Sequence, residues 1–141
     1  MSVPGYAGRV LYIDLTSGGT RVEPLDQALI DTFLGGYGIN SRLAWDVIPP
    51  HADPLSPQNA IILGVGPFAG TIIPGSAKLL ITTKFPINGA FGTAAAGGSF
   101  PLWLKTLGYD HVVITGRAPK PIYIRLAQDQ VELCDAAALW G

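Results

Sequence analysis

From Arg9 to Asp14 the chain alternates β-forming residues, Thr16-Ser-Gly-Gly19 offers a turn, and Thr20 to Glu23 extends again; the pattern predicts an opening hairpin. Asp26 stands where a helix cap belongs. Its carboxylate can accept free amides of a first turn, while Leu25, Leu29, Ile30, Phe33 and Leu34 form an apolar stripe on a helix running to Gly35. Gly35, Gly36 and Gly38 interrupt that helix. A second is expected over 39–48, with Leu43, Ala44 and Val47 turned inward and Pro49-Pro50 ending it. Residues 51–59, constrained by Pro54 and Pro57, read as an ordered connector.

Short apolar runs at Ile61–Leu63 and Leu79–Thr83 read as sheet strands separated by a Gly/Pro-rich loop over 64–77. Pro86-Ile-Asn-Gly89 is a turn, and 93–107 reads as a Gly-rich lead-in to a helix that starts near Ser99, carries Pro101 in its first turn and stops at Gly108. Three more strands are expected over 111–115, 121–126 and 130–133, the last two joined at Gln128-Asp129, and Asp135 is placed to cap a final helical turn. This order favours α+β, with mixed or antiparallel β-sheets and short helices, over regular βαβ repetition. Two Gly-rich turns, Leu34-Gly-Gly-Tyr-Gly38 and Ala94-Ala-Ala-Gly-Gly98, hint at an internal duplication, although no convincing period aligns.

Composition adds a surface problem. Apolar residues are 48% of the 141 and charged residues only 13%, roughly half the ~25% usual in soluble domains. A compact chain of 14.8 kDa exposes roughly 7,000 Å², and so charge-poor a surface points to cover by more chain, a subunit or a large ligand. Nine Lys+Arg against ten Asp+Glu leave a net charge of -1, which supplies no field for nucleic acid or an anionic membrane. Cys134 is the only cysteine, so the chain alone makes no internal disulfide and no four-cysteine zinc or iron–sulfur site. Residues 1–20 lack the basic start and unbroken apolar core of a secretory signal, and the most apolar stretch, 61–70, is short and Gly-broken. A cytoplasmic protein is expected.

Side chains offer little chemistry. His51 and His111 have no Gly-x-Ser-x-Gly elbow to serve, and Glu23 and Glu132 are the only glutamates for a carboxylate pair. His51, His111 and Cys134 stand apart in sequence, and Cys134 reads as a small buried hydrophobe. Catalytic residues are therefore unknown, no metal ligand is assigned, and a cofactor would have to bring the chemistry.

Main chain is the stronger candidate. The glycines near 35–38, 64–70 and 89–98 either make ordinary tight turns or let successive amides point at a phosphate or heterocycle edge. Neither a dinucleotide-binding Gly pattern nor a Gly-Lys-Ser/Thr ending is present. Lys78 and Lys84 flank one strand with same-face spacing, and either snorkel at its ends or form a confined anion site. Tyr37 is either a core or edge aromatic or a platform over a planar cofactor.

Read in chain order, Gly8-Arg-Val-Leu-Tyr-Ile-Asp-Leu-Thr16, Phe33-Leu-Gly-Gly-Tyr-Gly38, Asp53-Pro-Leu-Ser-Pro-Gln-Asn59, Gly66-Pro-Phe-Ala-Gly-Thr71, Thr83-Lys-Phe-Pro86, Gly97-Gly98, Gly108-Tyr-Asp110 and Leu139-Trp-Gly141 form an ordered set. Together they resemble the N-terminal, tungstopterin-binding domain of the tungsten-containing aldehyde:ferredoxin oxidoreductase family. The resemblance implies a partial N-terminal pterin-cofactor-binding domain over 1–141, with the later iron–sulfur and substrate-tunnel domains absent from this chain. It implies a share in a tungsten (or molybdenum) bis-molybdopterin enzyme that oxidises aldehydes to carboxylic acids and passes electrons through a [4Fe-4S] cluster to ferredoxin. The cluster's ligands would lie outside this chain, and the metal would be held by pterin dithiolenes.

Carried over position by position, the resemblance gives Gly36, Tyr37, Gly38, Lys78, Ala95, Ala96 and Gly97 cofactor-binding roles. Lys78 and Tyr37 stand where Arg can occur in the family, and Ala95-Ala96 where an Asn-Ser type does; charge persists at Lys78 but the guanidinium fork does not. The partners implied are the remainder of the enzyme or a complementary subunit, ferredoxin or another low-potential electron carrier, and an oligomer. The alternative is a non-catalytic pterin-binding or assembly-stabilising module.

Overall fold

The computed structural model describes residues 3–128 and 130–140; Asp129 of the expected turn and the closing Gly141 lie outside them. Strands β1 (Arg9–Asp14) and β2 (Gly19–Pro24) form the opening hairpin, followed by α1 (Gln27–Thr32), α2 (Tyr37–Val47), β3 (Ala60–Val65), β4 (Leu79–Lys84), β5 (Phe91–Ala96), α3 (Phe100–Thr106), β6 (His111–Thr115), β7 (Ile122–Ala127) and β8 (Gln130–Asp135). Six strands make one mixed sheet in the order β2-β1-β6-β3-β4-β5, in which β1 and β6 run parallel and the other neighbours antiparallel, while β7 and β8 form a separate hairpin. The fold is α+β, as the element order implied.

Period-two alternation sends successive side chains to opposite faces. Val10, Ile62 and Val113 meet Ile39, Leu43 and Ala44 of α2 on one face, whereas Leu11, Ile13, Val65, Leu79 and Val112 meet Leu104 of α3 and the half-buried Ile124, Leu126, Val131 and Leu133 of the β7–β8 hairpin on the other. Each such aliphatic side chain, fully buried, contributes roughly 1.5–3 kcal/mol. The sheet is thus covered on both faces around β1, β6 and β3. Cover thins toward β5, where Ala94, Ala95 and Ala96 are exposed.

Several expectations change. Residues 91–96 are a strand, not a lead-in to α3: β5 pairs along its whole length with β4, from Lys84↔Phe91 to Leu79↔Ala96. Neighbour pairing overrides the weak strand preference of Gly92 and three alanines. Asp26 does cap α1, its carboxylate accepting from the Ala28 amide at 3.0 Å, but α1 ends at Thr32 with no fully buried residue, and Leu34 is exposed. Helix α2 starts two residues earlier than expected, because Gly36, at φ 72°, turns the chain directly into it. Asp135 accepts from the Ala137 amide at 2.7 Å and leads into a 3-10 turn over Ala137–Leu139. Cys134 on β8 is only half-buried.

The exposed surface is large and partly apolar. The described residues expose 8450 Å², above the roughly 7,000 Å² of a compact chain this size. Phe68, Ile72, Ile73, Phe100, Leu102 and Trp103 are among the exposed large apolar residues, all on the 64–77 loop or on α3. Among the described residues, no helix is long and apolar enough to cross a membrane.

Candidate functional site

One end of the sheet gathers the Gly-rich segments. Gly36 is buried against the start of β4: a Cβ there would lie 3.0 Å from Leu80 Cδ1 and 3.6 Å from the Gly66 nitrogen. Leu80 pairs with Ala95 and Leu79 with Ala96, so the turn that opens α2 sits over the strands that carry the second Gly-rich segment. Beside them lies an open cleft of about 360 Å³ lined by Gly70, Thr71, Ile73, Gly75, Ser76, Ala77, Lys78, Gly97, Gly98 and Leu102. A Cβ on Gly97 would stand 3.6 Å from the Lys78 ammonium nitrogen, which places that cation over the Gly97 main chain.

Not every expected residue joins this group. Tyr37, the first residue of α2, is 63% exposed, so it is not a core aromatic. Gly38 faces the other way; a Cβ there would press on Phe33 Cβ at 3.2 Å, so its small size serves packing against α1. Lys84 shares a strand face with Lys78 but sits at the far end of β4, donating from Nζ to Pro50 O at 2.7 Å and Ala52 O at 2.9 Å. It ties down the end of α2, and the two lysines do not form one anion site.

The donor set suits a large anionic heterocycle. The cleft has one lysine, two hydroxyl residues and no carboxylate among its lining residues. Gly66, Gly75 and Gly98 have nothing within 4 Å of where a Cβ would stand, so main chain there faces open space. Strand β5 is a sheet edge, leaving alternate amides near Ala95 and Ala96 without a neighbouring strand among the described residues. Helix α2 begins without a side-chain cap and without an acidic residue in its first turn, so its leading amides and the positive end of its dipole are free to meet negative charge. Among the described residues no group of three or more His, Cys, Asp or Glu could hold a metal ion.

Directly beneath α2's first turn runs a buried polar network absent from the expectations above. Asn40 Nδ2 donates to Ile62 O at 3.2 Å, Leu80 O at 3.0 Å and Thr82 Oγ1 at 3.3 Å, and Thr82 Oγ1 meets Thr93 Oγ1 at 2.8 Å. Those carbonyl acceptors orient the amide, so Asn40 Oδ1 accepts from His111 Nδ1–H at 2.8 Å. The network links α2, β3, β4, β5 and β6. A polar residue one turn inside an otherwise apolar helix face was the available signal.

His111 is fully buried, and burial lowers its pKa from 6.5 to about 4, with Lys105 pushing the same way and Asp110 opposing. The fold therefore holds the ring neutral. Stability from this group is complete above pH 6.5 and is lost as pH falls from there through about 4, about 3 kcal/mol in total. Thermal unfolding between pH 5 and 7 is expected to show the decline, while His111→Asn, which keeps an amide donor near Nδ1, flattens it.

The family described as "Aldehyde ferredoxin oxidoreductase, N-terminal domain" matches residues 10–141. The chain belongs to this family. It is 37% identical over 137 residues to the tungsten-containing aldehyde ferredoxin oxidoreductase of Pyrococcus furiosus, and 38% identical over 137 residues to that of Thermococcus kodakarensis, covering 97% of this chain and 23% of each relative. Among solved structures, a chain of the active site complex BamBC of benzoyl coenzyme A reductase, in complex with 1,5-dienoyl-CoA, superposes with a TM-score of 0.92 and 32% identity over 96% of this chain and 21% of that one. As an aldehyde ferredoxin oxidoreductase N-terminal domain, the chain spans under a quarter of the length of these relatives.

Proposed function

We propose that this domain is the pterin-holding part of a tungsten or molybdenum bis-pterin oxidoreductase. The observation that carries the reading is the carboxylate-free cleft at Lys78 and Gly97, with the uncapped first turn of α2 packed on Leu80, two residues along the chain from Lys78. When bound, such a cofactor supplies the two-electron redox chemistry that the side chains here lack. The chain's own contribution is geometric and electrostatic. Main-chain amides near Gly36 and along Ala95-Ala96-Gly97 donate to the cofactor's edges, Lys78 offsets phosphate or dithiolene charge, and the exposed apolar rim at Ile73 and Leu102 restricts water once covered.

The relatives support assigning the substrate elsewhere. One is named for aldehydes and ferredoxin, and the other was solved with a dienoyl-CoA, yet both share this backbone. A scaffold common to proteins named for two substrate classes is best read as serving something other than substrate choice. Aldehyde oxidation with transfer through a [4Fe-4S] cluster to ferredoxin is the activity we assign to the complete protein, with cluster ligands, substrate contacts and oligomer contacts outside this chain.

Metal and pterin analysis of the complete protein from its native source tests the reading. Tungsten or molybdenum with pterin is expected; their absence from material made with cofactor synthesis intact overturns it, as does displacement by nucleotide alone. Lys78→Glu is expected to lower cofactor content by about tenfold or more with stability unchanged, since a charge-assisted contact contributes roughly 1.5–3 kcal/mol. Lys78→Arg should retain it.

A further inference from the structure

We propose that Tyr6 is a positioning residue that sets the cofactor turn at Gly36 through its hydroxyl, an inference that rests on the pterin reading above. The Gly35 amide donates to Tyr6 Oη at 3.1 Å, a contact spanning 29 residues of sequence. A Cβ on Gly35 would lie 3.1 Å from Tyr6 Cε1 on one side and 3.2 Å from Pro67 Cδ on the other, so the residue before Gly36 is clamped between an aromatic ring and a proline. Pro67 follows Gly66, whose nitrogen borders Gly36 itself. Both walls of the clamp thus lead to the turn that opens α2.

Tyr6 is held in its turn where the sheet's parallel pair begins. The fully buried Asp110 carboxylate accepts from the Ala7 amide at 3.0 Å and the Gly8 amide at 2.6 Å, and it pairs with Lys105 of α3. The Lys105 ammonium stands 5.5 Å from the centre of the Tyr6 ring, within reach of a cation–π contact. Gly5, at φ 88°, packs against Pro67, a Cβ there being 3.0 Å from Pro67 Cβ. The segment before β1 therefore runs from a buried ion pair to the cofactor turn, and Tyr6 brings its hydroxyl to that turn. Gly35 and Gly36 carry no side chain that could fix their own position.

The hydroxyl is removed, and the ring kept, by Tyr6→Phe in the complete protein. Three readouts are taken together: thermal midpoint, hydrogen–deuterium exchange at Gly35, and the rate at which pterin and metal leave during prolonged gel filtration. The expected result is faster exchange at Gly35 and about tenfold faster cofactor loss, with an altered EPR line shape of the partly reduced metal, at a thermal midpoint within ~2 °C of the parent; one neutral hydrogen bond is on the scale of 1 kcal/mol. Equal retention and an unchanged EPR signal in parent and variant overturn the positioning role while leaving the pterin reading intact. A loss of retention that merely tracks a lowered midpoint also overturns it, because that marks a structural role. A parent protein without pterin overturns the underlying reading and this inference with it.

Discussion

Replacing Gly64 with alanine is expected to destabilise the protein by 3 kcal/mol or more, enough to make soluble expression fail or nearly so. Gly64 lies in the middle of the sheet, in β3, opposite His111 of β6 and Leu80 of β4. A Cβ there would lie 2.6 Å from His111 Nδ1 and overlap Asn40 Oδ1 outright. Neither neighbour can yield: each is fully buried and hydrogen-bonded to the other. The added methyl group would have to break that bond and displace the amide from its carbonyl acceptors, combining overpacking with stranded polar groups. The contrasting case is Gly66→Ala, two residues on, where nothing lies within 4 Å. Thermal unfolding should place that variant within ~0.5 kcal/mol of the parent.

Asp110→Ala is the second large effect. Asp110 is fully buried and satisfies three donors at once, the amides of Ala7 and Gly8 and the ammonium of Lys105, whose side chain is 14% exposed. Removing the carboxylate leaves an almost buried cation without its counter-charge and two amides without acceptors. A loss of about 3–5 kcal/mol is expected in denaturant unfolding. Lys105→Met added to Asp110→Ala should recover part of it, because the uncompensated charge is then gone; a double mutant no more stable than Asp110→Ala would show that the cost lies in the two amides.

Residues with a strong period were legible in the chain. The hairpin from Arg9 to Glu23, the strand at His111–Thr115 and the cap at Asp26 were all readable because each rests on local pattern or on one side chain. The strand at 91–96 was hidden, since Gly92 and Ala94–Ala96 carry no strand preference and are held by pairing with β4, 11 residues away for Thr82 and Thr93. Helix α2's true start was hidden for a related reason: Gly36 caps it with no side chain.

Gly36, Lys78 and Gly97 stood out in the chain, and the structure sets Lys78 and Gly97 on one cleft and Gly36 against Leu80 of the adjoining strand. Other placements were left open because they depend on partners distant along the chain. Lys78 and Lys84 share a face, yet only three-dimensional packing shows that Lys84 is taken up by the carbonyls of Pro50 and Ala52. Tyr6 gave no local signal, and Asp110 entered only within the Gly108-Tyr-Asp110 motif; the amides that Asp110 holds lie 102 and 103 residues away and the one that meets Tyr6 lies 29 away.

The two rims of the sheet are unlike. Strand β2 carries Arg21, Glu23 and Pro24, residues that deter a foreign strand, whereas β5, Phe91-Gly-Thr-Ala-Ala-Ala96, has neither charge nor proline along it. With that border uncovered, this polypeptide would offer any extended peptide, its own copies included, a ready seam for main-chain zippering. Recombinant work on the domain in isolation should therefore anticipate self-association through β5, and a lysine or proline placed on that strand is the remedy the molecule already uses on its opposite border.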